Sequence, residues 1–428
     1  MTATTQPANR RFDPANSKTF SALAIPNYRR YIAGQSISLI GTWMQSVAQV
    51  WLVLALTNSG TLVGALVAVQ TLPVLLLGPY GGVIADRVDK RRLMIALQST
   101  MGVLALILGV LTVTHVVNVA EIFVLAFLLG LNNCFENPAR QSFVLEMVGP
   151  RDLRNAVTLN SVLVNAARAV GPAIAGILIA TVGTGPCFLV NAVSFIAVVY
   201  SLATMDTTKL APTVPTGRAK GQLREGISYV RHTPALLIPL LMMALVGCLT
   251  YEFSVTLPVF AKQVLGGDAA TFGFLTAAMG LGAVVGGLVT AGRGKTGMRP
   301  MVLTAGVFTL FVALAALAPN LTLELVALLL VGAASVSFLS IGNSTLQLAA
   351  APQMRGRVIS LWAVAFLGST PIGGPIVGAV AEHLGGRYGL GLGALACAVA
   401  TLLGALALRH MAPGRRLGVP LEETPATA

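Results

Sequence analysis

The chain has 428 residues, 55% of them hydrophobic and only 10% charged, and a formal net charge of +13. A soluble domain carries about 25% charged residues, so the composition excludes a water-covered globule. The mean hydropathy of +0.80 marks a polytopic helical membrane protein.

Residues 1–20 are polar and lack the apolar core of a cleavable leader, so the first span is expected to insert uncleaved. Apolar runs between Pro, Gly and charged breaks then predict twelve spans. They lie at about 31–57, 60–85, 92–115, 118–146, 154–181, 184–205, 235–262, 269–291, 299–318, 321–349, 355–383 and 386–410. The 45 glycines suit close helix packing in lipid. Cys134, Cys187, Cys248 and Cys397 sit inside apolar runs without CxxC spacing, and read as buried packing residues with no disulfide and no metal site.

The first span carries Ser38, Thr42, Gln45 and Gln49, spaced 4, 3 and 4, which is one helical face. In lipid that face must look into the bundle. Gln70 in span 2, Asn133 in span 4 and Asn165 in span 5 extend the polar set, as do Tyr251 in span 7 and Asn343 and Gln347 in span 10. Interhelical hydrogen bonding explains any one of them. As a set they outline a cavity between two halves, near mid-membrane. Few fixed charges line it, which favours large, weakly polar or amphipathic molecules.

Between spans 2 and 3 stands GGVIADRVDKRR, residues 81–92, two acids and four bases in seven positions. Positive charges alone hold a loop in the cytoplasm, so Asp86 exceeds what topology requires. Charge inside the spans is costly and marks function by default. Glu136 in span 4 and Arg168 in span 5 are each expected roughly 20 Å along their helices from the same side, and can meet at one depth. Such a pair is either static or broken and remade during transport, with Arg140 a further participant. Glu252 in span 7 has no basic partner nearby in sequence and suits a proton carrier or a glutamate facing a watery cavity. Glu121 and Glu146 lie near span ends and read as interfacial.

The basic residues fix an orientation. With the N-terminus cytoplasmic, 25 of the 28 Lys and Arg fall on the cytoplasmic side, Lys262 and Arg387 on the other, and Arg168 within a span. This bias accounts for the net charge without nucleic acid and puts both termini in the cytoplasm. The halves also repeat: GPAIAG at 171 recurs as GPIVGA at 374, an offset of 203, and two further matches share nearly that spacing. The expected organisation is a cytoplasmic tail over 1–28, a six-helix bundle over 29–205, a cytoplasmic linker with a short amphipathic helix over 206–234, a second six-helix bundle over 235–410, and a tail over 411–428.

Twelve spans, a duplicated six-span unit and the 2–3 loop together resemble the major facilitator superfamily. Gly82, Asp86, Arg87, Lys90 and Arg91 fall on its Gly-x-x-x-Asp-Arg-x-Gly-Arg-Lys pattern, with Asp89 in place of the second glycine. That departure, together with NPARQSFVLEMV at 137 and RNAVTLNSVLVNAARAVGPAIAG at 154, resembles the enterobactin-exporter-like and macrolide-efflux-like branch. The resemblance implies that Gly82 lets span 2 approach span 11, that Asp86 sits near the N-terminus of span 11, and that Arg87 with Lys90 or Arg91 helps latch the cytoplasmic ends. It also implies a helix-packing motif at Gly171, Pro172 and Gly176, repeated at Gly374 and Pro375. The span 5 pattern is associated with export, and its final Gly-Gly is Ala175-Gly176 here. Asp86→Asn is expected to leave expression intact and impair transport.

No nucleotide-binding loop, nucleophile elbow or catalytic His–carboxylate spacing is present, so an enzyme is not expected. The expectation is a monomeric secondary transporter of the bacterial inner membrane that needs no cofactor. It would expel a siderophore, a macrolide or mixed drugs in exchange for protons by alternating access. A lipid or lysophospholipid carrier, an importer of the same fold and a non-transporting membrane sensor are the alternatives.

Overall fold

A computed structural model describes residues 20–211 and 222–410, with the side chains of 79–86 and 222–224 outside what is described. Among the described residues the chain is all helical. The first half holds α1 (Pro26–Thr57), α2 (Gly60–Arg87), α3 (Lys90–Val113), α4 (Val119–Val182) and α5 (Thr184–Ala203). The second half opens with the ten-residue α6 (Gln222–Arg231). There follow α7 (Pro234–Leu249), α8 (Phe253–Gln263), α9 (Ala269–Arg293), α10 (Met298–Leu317), α11 (Leu321–Ala349), α12 (Arg355–Leu367), α13 (Thr370–His383) and α14 (Gly386–His410).

Eleven stretches among the described residues are long and apolar enough to cross a membrane. Twelve spans are predicted, and the difference lies in α4. Its 64 residues include Gly149 at φ 70°, ψ 172°, which is not helical. Pro150 follows, and its missing N–H suits the first turn of a new helix. Spans 4 and 5 are therefore two arms joined at one residue, where the sequence predicts a loop of several. Gly149→Ala places a Cβ on a left-handed backbone and is expected to cost about 1 kcal/mol, read as a lowered apparent melting temperature.

Two predicted spans are broken instead. Span 7 is α7 and α8, interrupted at Thr250–Glu252, where the Tyr251 N–H donates to Val246 one residue out of helical register, at 3.1 Å. Span 11 is α12 and α13, interrupted at Gly368 and Ser369. Pro371 lies in the first turn of α13, the position where a ring without N–H restarts a helix at no hydrogen-bond cost.

Caps mark the helix starts as the side chains dictate. Asp89 accepts from the Arg92 N–H ahead of α3. Asn118 and Glu121 form a reciprocal capping box ahead of α4, and Asn320 caps α11.

The chain divides into two compact units. One comprises residues 1–57, 69–217 and 268–280; the other comprises 58–68, 218–267 and 281–428. The first has a core of Tyr28, Tyr31, Met94, Phe143 and Met147. Tyr31 meets Phe143 edge to face at 6.4 Å, and the Tyr28 hydroxyl donates to the Ala156 carbonyl at 2.9 Å. In the second unit Tyr251 stands among Phe253, Phe308 and Phe366, with the Phe366 ring 5.0 Å away.

Candidate functional site

The first unit contains a cavity of about 170 Å³. Helix α1 supplies Thr42, Trp43, Gln45, Ser46 and Gln49, α2 supplies Gln70, α4 supplies Leu129 and Asn133, and α5 supplies Asn191 and Phe195; Met101 of α3 completes the wall. Five residues of the predicted polar set thus line one cavity: Thr42, Gln45, Gln49, Gln70 and Asn133. Ser38 is buried on the same face of α1, two turns from Gln45, and its carbonyl accepts from Thr42. Asn165 donates to the Ser161 carbonyl on its own helix and does not line the cavity.

Asn191 is a lining carboxamide outside the polar set read from the sequence. Its side chain donates to Gln45 at 2.6 Å and accepts from Ser194 at 2.9 Å. The available signal is a lone amide in the apolar run of span 6. Asn191→Leu strips Gln45 of its donor and is expected to cost about 1–3 kcal/mol of stability; comparing its thermal unfolding with that of Asn191→Asp tests this. Carboxamides both donate and accept without carrying charge, and Trp43, Met101 and Phe195 add apolar wall. The cavity is smaller than the ~300–1,000 Å³ of a drug-sized pocket, so it fits one polar-edged group of a larger amphipathic molecule.

Arg168 lies over the Trp43 ring, 5.3 Å from its centre, which brings a cation to the back of a cavity wall. The expected meeting of Glu136 with Arg168 is not what the structure holds. Glu136 is paired with Arg140 at 3.1 Å and accepts from Gln98 at 3.3 Å. The reason is proximity: Arg140 is one turn along the same helix, so no second helix has to be held at a matching depth.

The latch residues divide. Gly82 and Asp86 fall among the side chains outside the described residues. Arg87 is exposed at the end of α2. Lys90 is buried and donates to Glu146 at 2.7 Å, with side chains 6% and 10% exposed. Arg91 donates to the carbonyls of Leu202 and Ala203, both at 2.7 Å, closing the C-terminal end of α5. Both cations are thus committed inside the first unit, and Glu146, read as interfacial, is a buried ion-pair partner.

The Gly-Pro residues sit at close helix approaches. In the first unit a Cβ on Gly171 would stand 2.7 Å from that of Trp43, and one on Gly176 3.0 Å from Ala270; a Cβ on Gly273 would stand 2.5 Å from the Pro172 carbonyl. In the second unit Gly64 of α2 lies against Gly374 and Pro375 of α13.

Also in the second unit, Tyr251 donates to the Ser335 carbonyl at 2.7 Å, and Gln347 donates to Asn343 at 2.6 Å on one face of α11. Glu252 stands at the break of span 7, 2% exposed. Its Oε1 has no hydrogen-bond partner, and the Thr370 side chain, in the first turn of α13, neighbours its carboxylate. Glu324, which the sequence reading leaves unnamed, is wholly buried with neither oxygen hydrogen-bonded. Among the described residues no cluster of His, Cys, Asp or Glu is placed to hold a metal.

Apolar spans, a duplicated half and an amide-lined cavity define a multi-pass membrane protein. The family profile described as "Transmembrane secretion effector" matches residues 17–416, and the chain belongs to that family of the major facilitator superfamily. Relatives include the staphyloferrin A transporter of Staphylococcus aureus, 27% identical, with the alignment covering 60% of this chain and 65% of that protein. The chain therefore spans slightly less than two thirds of that relative. The multidrug efflux pump Tap of Mycolicibacterium fortuitum is 29% identical over 81% of this chain and 87% of its own. The enterobactin exporter EntS of Escherichia coli is 26% identical over 92% and 94%. Among solved structures, a mutant of the peptide transporter POT aligns with a TM-score of 0.72 at 14% identity, over 89% of this chain and 94% of its own. A bacterial homolog of the human lysosomal transporter Spinster, inward-facing, aligns at 0.69 and 14%, over 90% and 97%. At such identities these likenesses concern the fold alone.

Proposed function

We propose that the chain is a proton-driven exporter of an amphipathic small molecule, of the siderophore, macrolide or mixed-drug kind, working by alternating access in a bacterial cytoplasmic membrane. The observation that carries this reading is the cavity of the first unit, where carboxamides of four helices face an aromatic and thioether wall. Such a lining suits molecules with several hydrogen-bonding groups on an apolar frame, and does not select phosphate or a fixed charge. The relatives named as an enterobactin exporter and a multidrug efflux pump support export and this chemistry.

Energy would come from protons exchanged at Glu252, since a buried carboxylate changes charge with the proton it carries. The 2–3 loop, with Gly82, Asp86 and Arg87, would serve as the latch of one conformational state, and Lys90 and Arg91 would brace its base. Proteoliposomes with an imposed pH gradient and a panel of siderophores, macrolides and cationic drugs test the proposal. Accumulation of at least one panel member that collapses with a protonophore is expected. Accumulation that ignores the gradient would refute proton coupling.

A further inference from the structure

Spans 7 and 11 are the two interrupted spans of the second unit, and their interruptions face each other. The Gly373 Cα lies against the Cys248 carbonyl, and a Cβ on Gly247 would stand 3.1 Å from the Ser369 hydroxyl. Glu252 is the acid at this meeting point. Thr370, in the first turn of α13, neighbours its carboxylate. Its Oε2 lies 3.6 Å from where a Gly374 Cβ would stand, one turn further on. Its Oε1 is buried and unpartnered. The offset of 203 that relates the two Gly-Pro runs maps Glu252 onto Gln49 of α1, an amide on a helix that runs unbroken. The carboxylate and the break therefore occur together, in one half only.

What α13 touches next gives the site a consequence. Gly374 and Gly378 form the seat of residues 58–68, the start of α2. Gly64 rests on Gly374 and Gly60 on Gly378, with no room for a Cβ between them. Glu382, one turn beyond Gly378, accepts from the Ser59 hydroxyl at 2.7 Å and the Thr61 N–H at 2.8 Å. We propose that the paired breaks form a proton-exchange site made of Glu252 and Thr370, and that its occupancy decides whether residues 58–68 stay seated on α13. This rests on the transport reading and supplies its coupling step. A neutral Glu252 is compatible with the dry, tightly apposed breaks. A bare carboxylate there is costly, so losing the proton favours an arrangement in which α13 withdraws and water reaches Oε1.

The other titratable groups on the packed elements do not neutralise Glu252. Cys248 and Tyr251 flank it on α7 and at the break, and the Tyr251 hydroxyl is tied to Ser335. Lys262 lies ten residues along α8, and Glu382 and His383 lie at the far end of α13. Arg387, at the start of α14, is held over the Phe260 ring and by the Ala316 carbonyl.

Hydrogen–deuterium exchange of residues 58–68 in the full-length protein, in lipid nanodiscs across pH 5–9, tests the inference. In the wild type, protection beyond the intrinsic chemistry is expected to fall about tenfold per pH unit above a transition, as one-proton linkage requires. Glu252→Gln is expected to hold the segment protected at every pH. Thr370→Val keeps the carboxylate and is expected to move the midpoint by about one pH unit, which keeps the test decisive if Glu252→Gln does not fold. A flat wild-type profile, or a transition surviving in Glu252→Gln, overturns the proposal. So does a transition that follows sodium, exchanged for choline at fixed pH, rather than protons. If the linkage holds but no panel compound moves in proteoliposomes, the transport reading fails and the site stands.

Discussion

Lys90→Met alone is expected to destabilise the protein by about 3–5 kcal/mol, and the double change Lys90→Met with Glu146→Leu to recover most of that loss. Lys90 and Glu146 meet at 2.7 Å with both side chains nearly sealed from solvent. The pair joins the first turn of α3 to the first arm of α4. Removing the lysine takes from a buried carboxylate the cation that meets it at 2.7 Å, and that penalty exceeds anything the intact pair contributes. Replacing both with apolar groups of similar volume removes the desolvation cost together with the attraction. Thermal unfolding of detergent-solubilised protein, monitored by retained monodispersity, separates the cases. If the double variant is as unstable as the single one, the stabilisation lies elsewhere, as in the topology of the 2–3 loop.

Glu252→Gln is expected to abolish uphill transport while leaving downhill exchange of the same molecule. Glutamine keeps the size and hydrogen-bonding reach of the side chain but cannot gain or lose a proton. One pH unit is worth about 1.4 kcal/mol per proton. A one-proton exporter should therefore build a roughly tenfold substrate gradient per unit. The variant should build none, with its counterflow within about threefold of wild type if the cavity of the first unit is untouched. Loss of both activities together would place Glu252 in the structural frame rather than in coupling.

Much of the architecture is written in composition. Charge bias, hydropathy and the 203-residue repeat suffice for a helical membrane protein of duplicated design, because lipid leaves few alternatives for a backbone that must bond to itself. The polar face of α1 is equally legible, since the 4-3-4 spacing of Ser38 to Gln49 has one geometric meaning, and three of its members line the cavity. The failures share a cause. Nothing in PALLIPLLMMALVGCLTYEFSVTLPVF announces that span 7 breaks at Tyr251, because hydropathy does not register a slip of one residue in the hydrogen-bond ladder. Depth along two helices allowed Glu136 to reach Arg168, but a base one turn away on the same helix took the acid. Asn191 and Glu324 pass unnoticed in runs that otherwise satisfy every criterion of a span.

The assignment of residues 58–68 to the second unit and of 268–280 to the first has a practical corollary. Each compact body borrows a helical end from the opposite half of the gene product. Severed within 212–221 and produced alone, either fragment would expose a glycine-lined trough to lipid and lack the piece that fills it. Reciprocal borrowing of this sort is the logic of domain swapping contained within a single polypeptide. The fragments should thus accumulate only when synthesised together, each acting as the other's folding partner.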